Sequence, residues 1–414
     1  MRAGGRSGAL AGERGAAKTG APAETSYFLG LDVIRLAAAA FVMLYHLGFW
    51  HFMRPDDMMA RAVEASAILP YTGGWTRSGW VGVEAFFVLS GVVISASAEG
   101  KTWGRFLTGR LLRLYPAVWI GASVSLFAAT VSAMRGPENL VGAYLRGLTL
   151  TPYGPWIEGS YWTLPVEMAF YLFVGALLLW RGGKFAFDGI NAIGLASAAY
   201  WIGWQVSLHA ANRVGLVHEL GDALTWSIYW RSLDLTLIHH GCFFALGALM
   251  YRTLALRAAS PWTIAAPILM GGCWLEIATV NRRRVLEAGV DMNALVPVAA
   301  WTAAVALIAL SLAYRRRIAQ VCGPTVSRWV RFGGLMTYPL YLCHVSVAFA
   351  AVKGLRGLGV TPMAAWLGGM AVATLVAAII AGALEPRVRR AAALGLDRLA
   401  ASRAAWRSGW VGGD

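Results

Sequence analysis

The sequence has little charge and little cysteine for its length. Only 14% of its 414 residues are charged, whereas 58% are hydrophobic, and the mean hydropathy is positive. This balance excludes a soluble globular chain and is typical of a protein with many membrane-spanning helices. The four cysteines lie scattered in or beside apolar segments, with the spacing of neither zinc ligands nor a disulfide framework. We therefore expect no metal site.

The motifs of common soluble enzymes are also missing. The chain contains no GxSxG elbow, no Walker loop, no GxGxxG and no HExxH, which disfavours a soluble-type hydrolase or nucleotide enzyme. His239 and His240 are adjacent, so on a helix they point about 100° apart and cannot face one metal ion together. Acidic residues are outnumbered, 21 against 36 basic ones. The basic residues lie in short loops, where they orient membrane helices, so we expect no nucleic-acid partner.

What the chain does have is long apolar segments. Ten segments of about 20 residues, enough to cross the hydrocarbon core of a membrane, predict an all-α polytopic bundle of about ten transmembrane helices. Segments that would lie inside hold about twice as many basic residues as those outside, which predicts that both termini are cytoplasmic. The arginines at 282–284 oppose this pattern. The predicted spans are 31–50, 81–99, 110–132, 161–180, 185–207, 236–254, 261–280, 293–313, 331–352 and 362–384.

The rest of the chain divides simply. Residues 1–26 are rich in Ala, Gly and Arg and predict a disordered cytoplasmic tail. Residues 27–390 form the predicted membrane domain, and 391–414 a short cytoplasmic tail. The segments 134–160 and 208–235 are interpreted as outer loops that dip back into the protein. No internal repeat is evident, which counts against a transporter.

The first span, YFLGLDVIRLAAAAFVMLYHLGFW, carries Asp32, Arg35 and His46. Charged groups are costly inside a membrane and usually mark a functional site. Arg35 and His46 are eleven residues apart, almost three turns of helix, so both emerge on one face about 16 Å apart. This face predicts a site for a substrate that reaches into the membrane.

Other candidates lie in the next two spans. Glu84 and Ser90 lie in GWVGVEAFFVLSGVVIS, whose glycines would let helices approach closely. Glu84 either pairs with a neighbouring cation or acts directly. Arg110 and Arg113 share one helix face and either clamp phosphates or anchor the helix at the membrane surface.

Two later spans carry further polar groups. Glu167 lies in an apolar helix with Trp162 near it, and a carboxylate at that depth needs a partner, for which His46 or an arginine is the natural candidate. His344 follows Tyr341 by three residues, on the same helix face, and is either structural or catalytic.

Five blocks together resemble the acyltransferase family 3 of integral membrane proteins, in the family's order: LDVIRLAAAAFVMLYH, GVEAFFVLSG, FLTGRLLRLYP, YWTLPVEMAFYL and TYPLYLCHVSV. The family includes O-acetyltransferases of O-antigen, exopolysaccharide and Nod-factor sugars. The resemblance implies ten membrane helices and a cytoplasmic acyl-CoA donor. It places the Arg-x10-His motif on Arg35 and His46, the Arg-x2-Arg motif on Arg110 and Arg113, and the motif carboxylate on Glu167.

Two features depart from the family pattern. Met168 follows Glu167 where many members have a second glutamate. The esterase-like domain fused to some members is not expected, since the chain ends at Asp414. Any transfer is therefore assigned to the membrane domain or to an unlinked partner.

The resulting hypothesis is an O-acyltransferase of the bacterial inner membrane. It would move an acetyl or other short acyl group from acyl-CoA to a sugar hydroxyl of an exopolysaccharide, O-antigen or lipid-linked oligosaccharide. His46 would be the general base, oriented by Glu167, and Arg35, Arg110 and Arg113 would hold the CoA phosphates. The expected supporting residues are Asp32, Glu84, Ser90, Trp162, Tyr341 and His344.

Two alternatives are kept. A transporter or flippase of a lipid-linked sugar or small anion would use the same buried charges as a relay and would need no CoA. A different membrane O-acyltransferase fold with a buried catalytic histidine would change the architecture more than the reaction.

Overall fold

The computed structural model describes residues 28–53, 56–134, 137–211 and 226–410. Within these ranges the chain is helical and contains no strand, which confirms the all-α prediction. The predicted tail at 1–26 lies outside the described residues. Most of the segment predicted as the C-terminal tail belongs to a helix that ends at Trp410.

Sixteen α-helices are present in the described part of the chain, and three short π-helical segments extend or interrupt them. The π segments are His46–Trp50, Tyr251–Ala255 and Ile380–Leu384. The α-helices are α1 Leu29–Tyr45, α2 Met58–Val63, α3 Leu69–Thr76, α4 Gly82–Ala98, α5 Trp103–Val131, α6 Pro137–Thr149, α7 Thr163–Arg181, α8 Gly183–Ala211, α9 Arg231–Leu235, α10 Gly241–Met250, α11 Ala266–Ala288, α12 Leu295–Ala313, α13 Arg315–Val321, α14 Pro324–Gly357, α15 Pro362–Ile379 and α16 Glu385–Trp410.

Among the described residues, eight helical segments are long and apolar enough to cross a membrane, and each overlaps a predicted span. The predicted span at 185–207 coincides with the long helix α8, and that at 236–254 with a shorter apolar helix, Gly241–Ala255. The molecule is thus a multi-pass membrane protein. The number ten and the orientation of the termini stay predictions. The eight segments are Leu29–Trp50, Gly79–Ala98, Trp103–Val131, Gly159–Trp180, Pro261–Ala288, Leu295–Ala313, Pro324–Gly357 and Pro362–Leu396.

Helix α1 lies inside the bundle, in contact with α4, α12 and α14. Asp32 of α1 is buried, and Arg35 one turn later donates a hydrogen bond to it, so the carboxylate has a charged partner at its depth. A Cβ atom on Gly334 of α14 would overlap the Asp32 side chain. Glycine at this position therefore lets α14 approach α1 closely beside the ion pair.

Helices α4 and α10 approach each other through glycines on both sides. A Cβ atom on Gly91 would overlap the carbonyl oxygen of Phe244, and one on Gly247 would overlap that of Val88. The expectation that glycines in the second span allow close helix packing is therefore confirmed at Gly91. Helix α10 is fully buried between α4 and α8.

The two predicted outer loops reach into the protein where they are described. The first contains α6 and then brings Glu158 into the interior, where Ser125 Oγ and the Ser346 N–H donate to its carboxylate at 3.0 and 2.9 Å. Residues 212–225 of the second lie outside the described residues. After them, Arg231 Nε donates to the carbonyl oxygen of Pro152 at 2.9 Å, which joins the two loops.

Helix α11 is longer than the sequence predicts. It continues two turns beyond residue 280 and ends at Ala288, where Gly289 adopts a left-handed conformation with φ of 65°. The arginines at 282–284 were predicted to follow the span as a loop, but they belong to the last turns of this helix. The side of the membrane on which they lie stays a prediction. The predicted crossing at 261–280 lies within Pro261–Ala288, which is long and apolar enough to span a membrane.

Candidate active site

Two separate cavities lie at the two ends of the first span. The arginine cavity, about 420 Å³, lies at the Arg35 end, and the histidine cavity, about 450 Å³, lies at the His46 end. In the described part of the chain no residue lines both cavities. Arg35 and His46 share one helix, as predicted, but each serves a different cavity.

The arginine cavity brings together the three predicted arginines. Arg35 Nη1 lies 2.9 Å from Asp32 Oδ1, and Arg113 Nη1 lies 3.1 Å from Glu385 Oε1. Arg110 also lines the cavity and has no carboxylate partner among the described residues. Two guanidiniums are thus held in place by carboxylates, and the third is available to an anionic ligand.

Glu167 lines the arginine cavity and not the histidine cavity. Its Oε1 accepts a hydrogen bond from Tyr171 OH at 2.6 Å and a longer one from Ser90 Oγ at 3.4 Å. The expected contact between Glu167 and His46 is absent. The residues just before α7, up to Trp162, line the histidine cavity, whereas Glu167, one turn into α7, lines the arginine cavity. Ser90 accordingly belongs to the arginine cavity as well.

The partner of His46 is His344. His46 Nδ1 lies 2.9 Å from His344 Nε2, and the two ring centroids are 5.0 Å apart. His344 is buried, whereas His46 is half-buried and lines the histidine cavity. The structure therefore joins two histidines that the sequence places 298 residues apart.

The surroundings of His344 determine the proton positions of both rings. His344 Nδ1 lies 3.1 Å from the carbonyl oxygens of Leu340 and Tyr341, which only accept hydrogen bonds. His344 must therefore carry its proton on Nδ1, and its Nε2 accepts from His46 Nδ1–H. This leaves Nε2 of neutral His46 with a free lone pair, the arrangement of a general base oriented by a second group.

His46 also begins a π-helical segment, His46–Trp50, which continues α1. Such segments are rare and often occur at functional sites. Two of its carbonyl groups accept side-chain hydrogen bonds: Thr72 Oγ1 donates to Gly48 O at 2.7 Å, and Trp366 Nε1 donates to Leu47 O at 2.8 Å. These donors stabilise the wider turn on which His46 sits.

A septum of hydrogen-bonded groups lies between the two cavities. Tyr341 and Thr163 line the arginine cavity, whereas Ser160 lines the histidine cavity. Tyr341 OH lies 3.0 Å from Thr163 Oγ1 and donates to the Ser160 carbonyl at 3.0 Å, while Ser160 Oγ donates to the Tyr341 carbonyl at 2.9 Å. The same Tyr341 carbonyl accepts from His344, so the septum and the histidine pair are linked.

Arg283 and Arg284 line the histidine cavity, although the sequence analysis gave them no role. Arg284 Nη1 donates to Tyr45 OH at 2.6 Å, and its guanidinium lies 4.8 Å from the ring centroid of Trp80. The available signal was their position: these arginines oppose the inside bias of the other basic residues, as functional cations would.

A second group of residues missed from the sequence lies around Asp234. Asp234 Oδ1 lies 2.6 Å from His239 Nδ1 and 3.4 Å from His240 Nε2. Burial raises the pKa of Asp234, but hydrogen bonds from the two histidines outweigh it and hold the pKa far below its usual range. Glu84 and Trp162, which the sequence analysis did single out, line the same cavity. The adjacent histidines His239 and His240, which were not expected to bind one metal ion together, both contact the same carboxylate.

These features define a multi-pass helical membrane protein with a cationic cavity at one end of a span and an oriented histidine at the other. The family model described as an acyltransferase domain, acyltransferase family 3, matches residues 28–382. The chain therefore belongs to this family, as its sequence blocks predict. The fold and this membership together support an acyltransferase activity.

Two curated relatives match part of the chain. Nodulation protein 10 of Rhizobium leguminosarum bv. viciae is 27% identical over 200 residues, which cover 41% of this chain and 49% of that protein. The membrane-bound transacylase BcsY of Komagataeibacter xylinus is 30% identical over 171 residues, covering 36% of this chain and 43% of that protein. The matched region thus spans less than half the length of either relative. No solved structure matches the chain.

Proposed function

We propose that the protein transfers an acetyl or other short acyl group from acyl-CoA to a hydroxyl of a sugar. The acceptor would be part of an exopolysaccharide, O-antigen or lipid-linked oligosaccharide, and the protein would lie in the bacterial inner membrane with both termini cytoplasmic. The observation that carries the proposal is the pair of cavities at the two ends of the first span, with the three predicted arginines lining one and a histidine with a free Nε2 lining the other.

The arginine cavity supplies the donor site in this proposal. Arg35, Arg110 and Arg113 present guanidiniums that suit the phosphates of CoA, since their forked donors bind phosphate oxygens bidentately. Glu167, Tyr171 and Ser90 form a polar group farther along the same cavity. We assign them to the pantetheine arm, whose amide N–H groups need acceptors such as a carboxylate.

His46 carries the chemistry. Its Nε2 removes the proton from the acceptor hydroxyl, and the hydroxyl oxygen attacks the thioester carbonyl to form a C–O bond. The C–S bond then breaks, and the CoA sulfur takes the proton from His46. During the transfer, imidazolium His46 donates from Nδ1 to neutral His344, a charge-assisted hydrogen bond that stabilises the intermediate charge.

Because the septum separates the two cavities, the donor and the acceptor must meet beside it. Tyr341 is the residue through which the wall of the arginine cavity connects to His344. In the proposal, the thioester passes the Tyr341 side chain to reach His46, while the sugar occupies the histidine cavity. The acyl group would cross the membrane without a separate carrier.

The test uses the purified protein in nanodiscs with acetyl-CoA labelled in the acetyl group and a lipid-linked oligosaccharide acceptor. We expect His46→Ala to lower transfer at least about 100-fold, the usual contribution of a general base, without changing the KM for acetyl-CoA. His51→Ala is the matched comparison, because His51 also lines the histidine cavity but bonds Asp57 at 2.8 Å instead of His344. Full transfer by a well-folded His46→Ala protein contradicts the proposal.

A further inference from the structure

Three buried polar side chains in the histidine cavity have no role in the chemistry above. Glu84, Glu276 and His240 are 2%, 1% and 5% exposed, and all three line this cavity. Among the described residues, Glu84 Oε2, both carboxylate oxygens of Glu276 and His240 Nδ1 have no hydrogen-bond partner, and His240 Nε2 has only its 3.4 Å contact to Asp234 Oδ1. Glu84 and Glu276 lie on α4 and α11, and His240 immediately precedes α10.

Such a concentration of unpaired groups is unusual. More than about 90% of buried polar groups are hydrogen-bonded, and leaving one unpaired costs about 1–3 kcal/mol, more for a charge. The groups do not satisfy one another, since His240 Nδ1 is 3.7 Å from Glu276 Oε1, beyond hydrogen-bond distance. A cavity lined by several such groups is built for a ligand that supplies the missing hydrogen bonds.

The chemistry of the groups restricts the ligand. Carboxyl oxygens are hydrogen-bond acceptors, so the ligand must bring O–H or N–H donors. An ammonium group is disfavoured because Arg283 and Arg284 line the same cavity. They follow Glu276 on α11 by two turns, about 10 Å. A neutral, polyhydroxylated molecule fits both restrictions.

The cavity also offers an apolar surface beside these groups. The ring centroid of Trp162 lies 5.8 Å from that of His240, and Trp162 lines the cavity. An indole ring packs well against the C–H face of a sugar while its neighbours bind the hydroxyls. Hydroxyl acceptors and an aromatic platform are thus present on one wall.

We infer that Glu84, Glu276 and His240 form a subsite that binds hydroxyls of the sugar acceptor other than the one acylated. The inference rests on the proposed function and names the residues that select the acceptor. Glu84 and Glu276 each accept a hydrogen bond from a hydroxyl, and His240 binds one as donor or acceptor. The subsite thereby presents the remaining hydroxyl to His46 in the same cavity.

The experiment compares wild-type protein with Glu276→Gln and Glu84→Gln in nanodiscs, with labelled acetyl-CoA. The probe acceptors are the methyl glycosides of glucose, galactose, mannose and N-acetylglucosamine, together with their monodeoxy analogues, methyl glucosaminide and glucose 6-phosphate. Hydrolysis of acetyl-CoA by water is measured without acceptor. Glu64→Gln is the matched control, because this carboxylate is exposed and lies outside both cavities.

We expect the variants to raise the KM for the preferred neutral glycoside about 10-fold or more, with hydrolysis and the KM for acetyl-CoA unchanged. Wild type should discriminate against one deoxy analogue, and Glu276→Gln or Glu84→Gln should reduce that discrimination. Wild-type kinetics in both variants, a preference for the amine or the phosphate, or hydrolysis without transfer to any glycoside would overturn the inference. If wild type neither transfers nor hydrolyses, the proposed function fails instead.

Discussion

At the scale of single residues, the centre of the site is a pair of histidines in which one fixes the other. The carbonyl oxygens of Leu340 and Tyr341 hold the proton of His344 on Nδ1, and His344 in turn holds that of His46 on Nδ1. In the proposed mechanism His344 is thus a positioning residue. It contacts neither cavity and acts through the orientation and tautomer of its neighbour.

This arrangement predicts different outcomes for two substitutions of His344. His344→Ala should lower kcat about 10- to 100-fold with little change in the KM for acetyl-CoA, because His46 loses the acceptor that orients it. His344→Gln should recover part of the loss, since a side-chain amide oxygen can accept from His46 Nδ1–H. Steady-state kinetics on both variants checks this. Equal activity in the alanine variant and wild type would contradict it.

Which contacts of the site could be predicted depends on their separation in the chain. Arg35 and His46 lie on one helix, and helical periodicity alone placed them on one face. The bond from His46 to His344 joins helices distant in sequence, and no periodicity relates them. The expected partner, Glu167, was chosen by charge alone, and its position one turn into α7 takes it to Tyr171 instead.

At the scale of helices, glycines determine how closely the buried helix α10 lies against α4. Gly91 and Gly247 face carbonyl groups of the opposite helix, so each backbone packs directly on the other. Helix α4 carries Glu84 and Ser90 into the two cavities. A shift of this helix would therefore displace groups in both.

Gly91→Ala should destabilise the protein, because the added methyl group meets a backbone carbonyl that cannot rotate away. We expect a loss of about 1–3 kcal/mol, the usual cost of overpacking, visible as a lower Tm in detergent. Gly104→Ala is the matched control, since Gly104 lies on a helix with nothing within 4 Å of its added Cβ. Its Tm should be unchanged or higher, because alanine favours helix. An unchanged Tm for Gly91→Ala would show that the helices separate at no cost.

The existence of the helices was easier to predict than their ends. Apolar length identified each of the eight long spans, since only a continuous apolar surface is stable in lipid. The ends follow other rules. Helix α5 begins at Trp103, before the predicted span, and α11 continues to Ala288, after it. In both, polar residues outside the apolar segment continue the helix. A capping residue such as Gly289 then ends α11.

At the scale of the whole molecule, the distribution of basic residues predicts which cavity faces the cytoplasm. The arginine cavity lies at the end of the bundle expected inside, where acyl-CoA is available, and the histidine cavity at the opposite end. Asp56 follows the His46 end of the first span and has a fully exposed side chain, whereas Arg317 is exposed on α13.

Cysteine labelling checks this orientation. Starting from a Cys322→Ser protein, whose three remaining cysteines are buried, a membrane-impermeant maleimide should label Asp56→Cys in intact cells. Arg317→Cys should be labelled only after the membrane is opened. The reverse pattern would place the arginine cavity outside and would separate it from its proposed donor.

The septum between the cavities has a consequence for the cell as well as for the enzyme. Two cavities that open on opposite sides of a membrane would, if they were joined, let protons leak across it and dissipate the proton gradient. Tyr341, Thr163 and Ser160 hydrogen-bond to one another between the two cavities. In the proposed enzyme, which takes one substrate from each side of the membrane, these bonds would also keep protons from crossing.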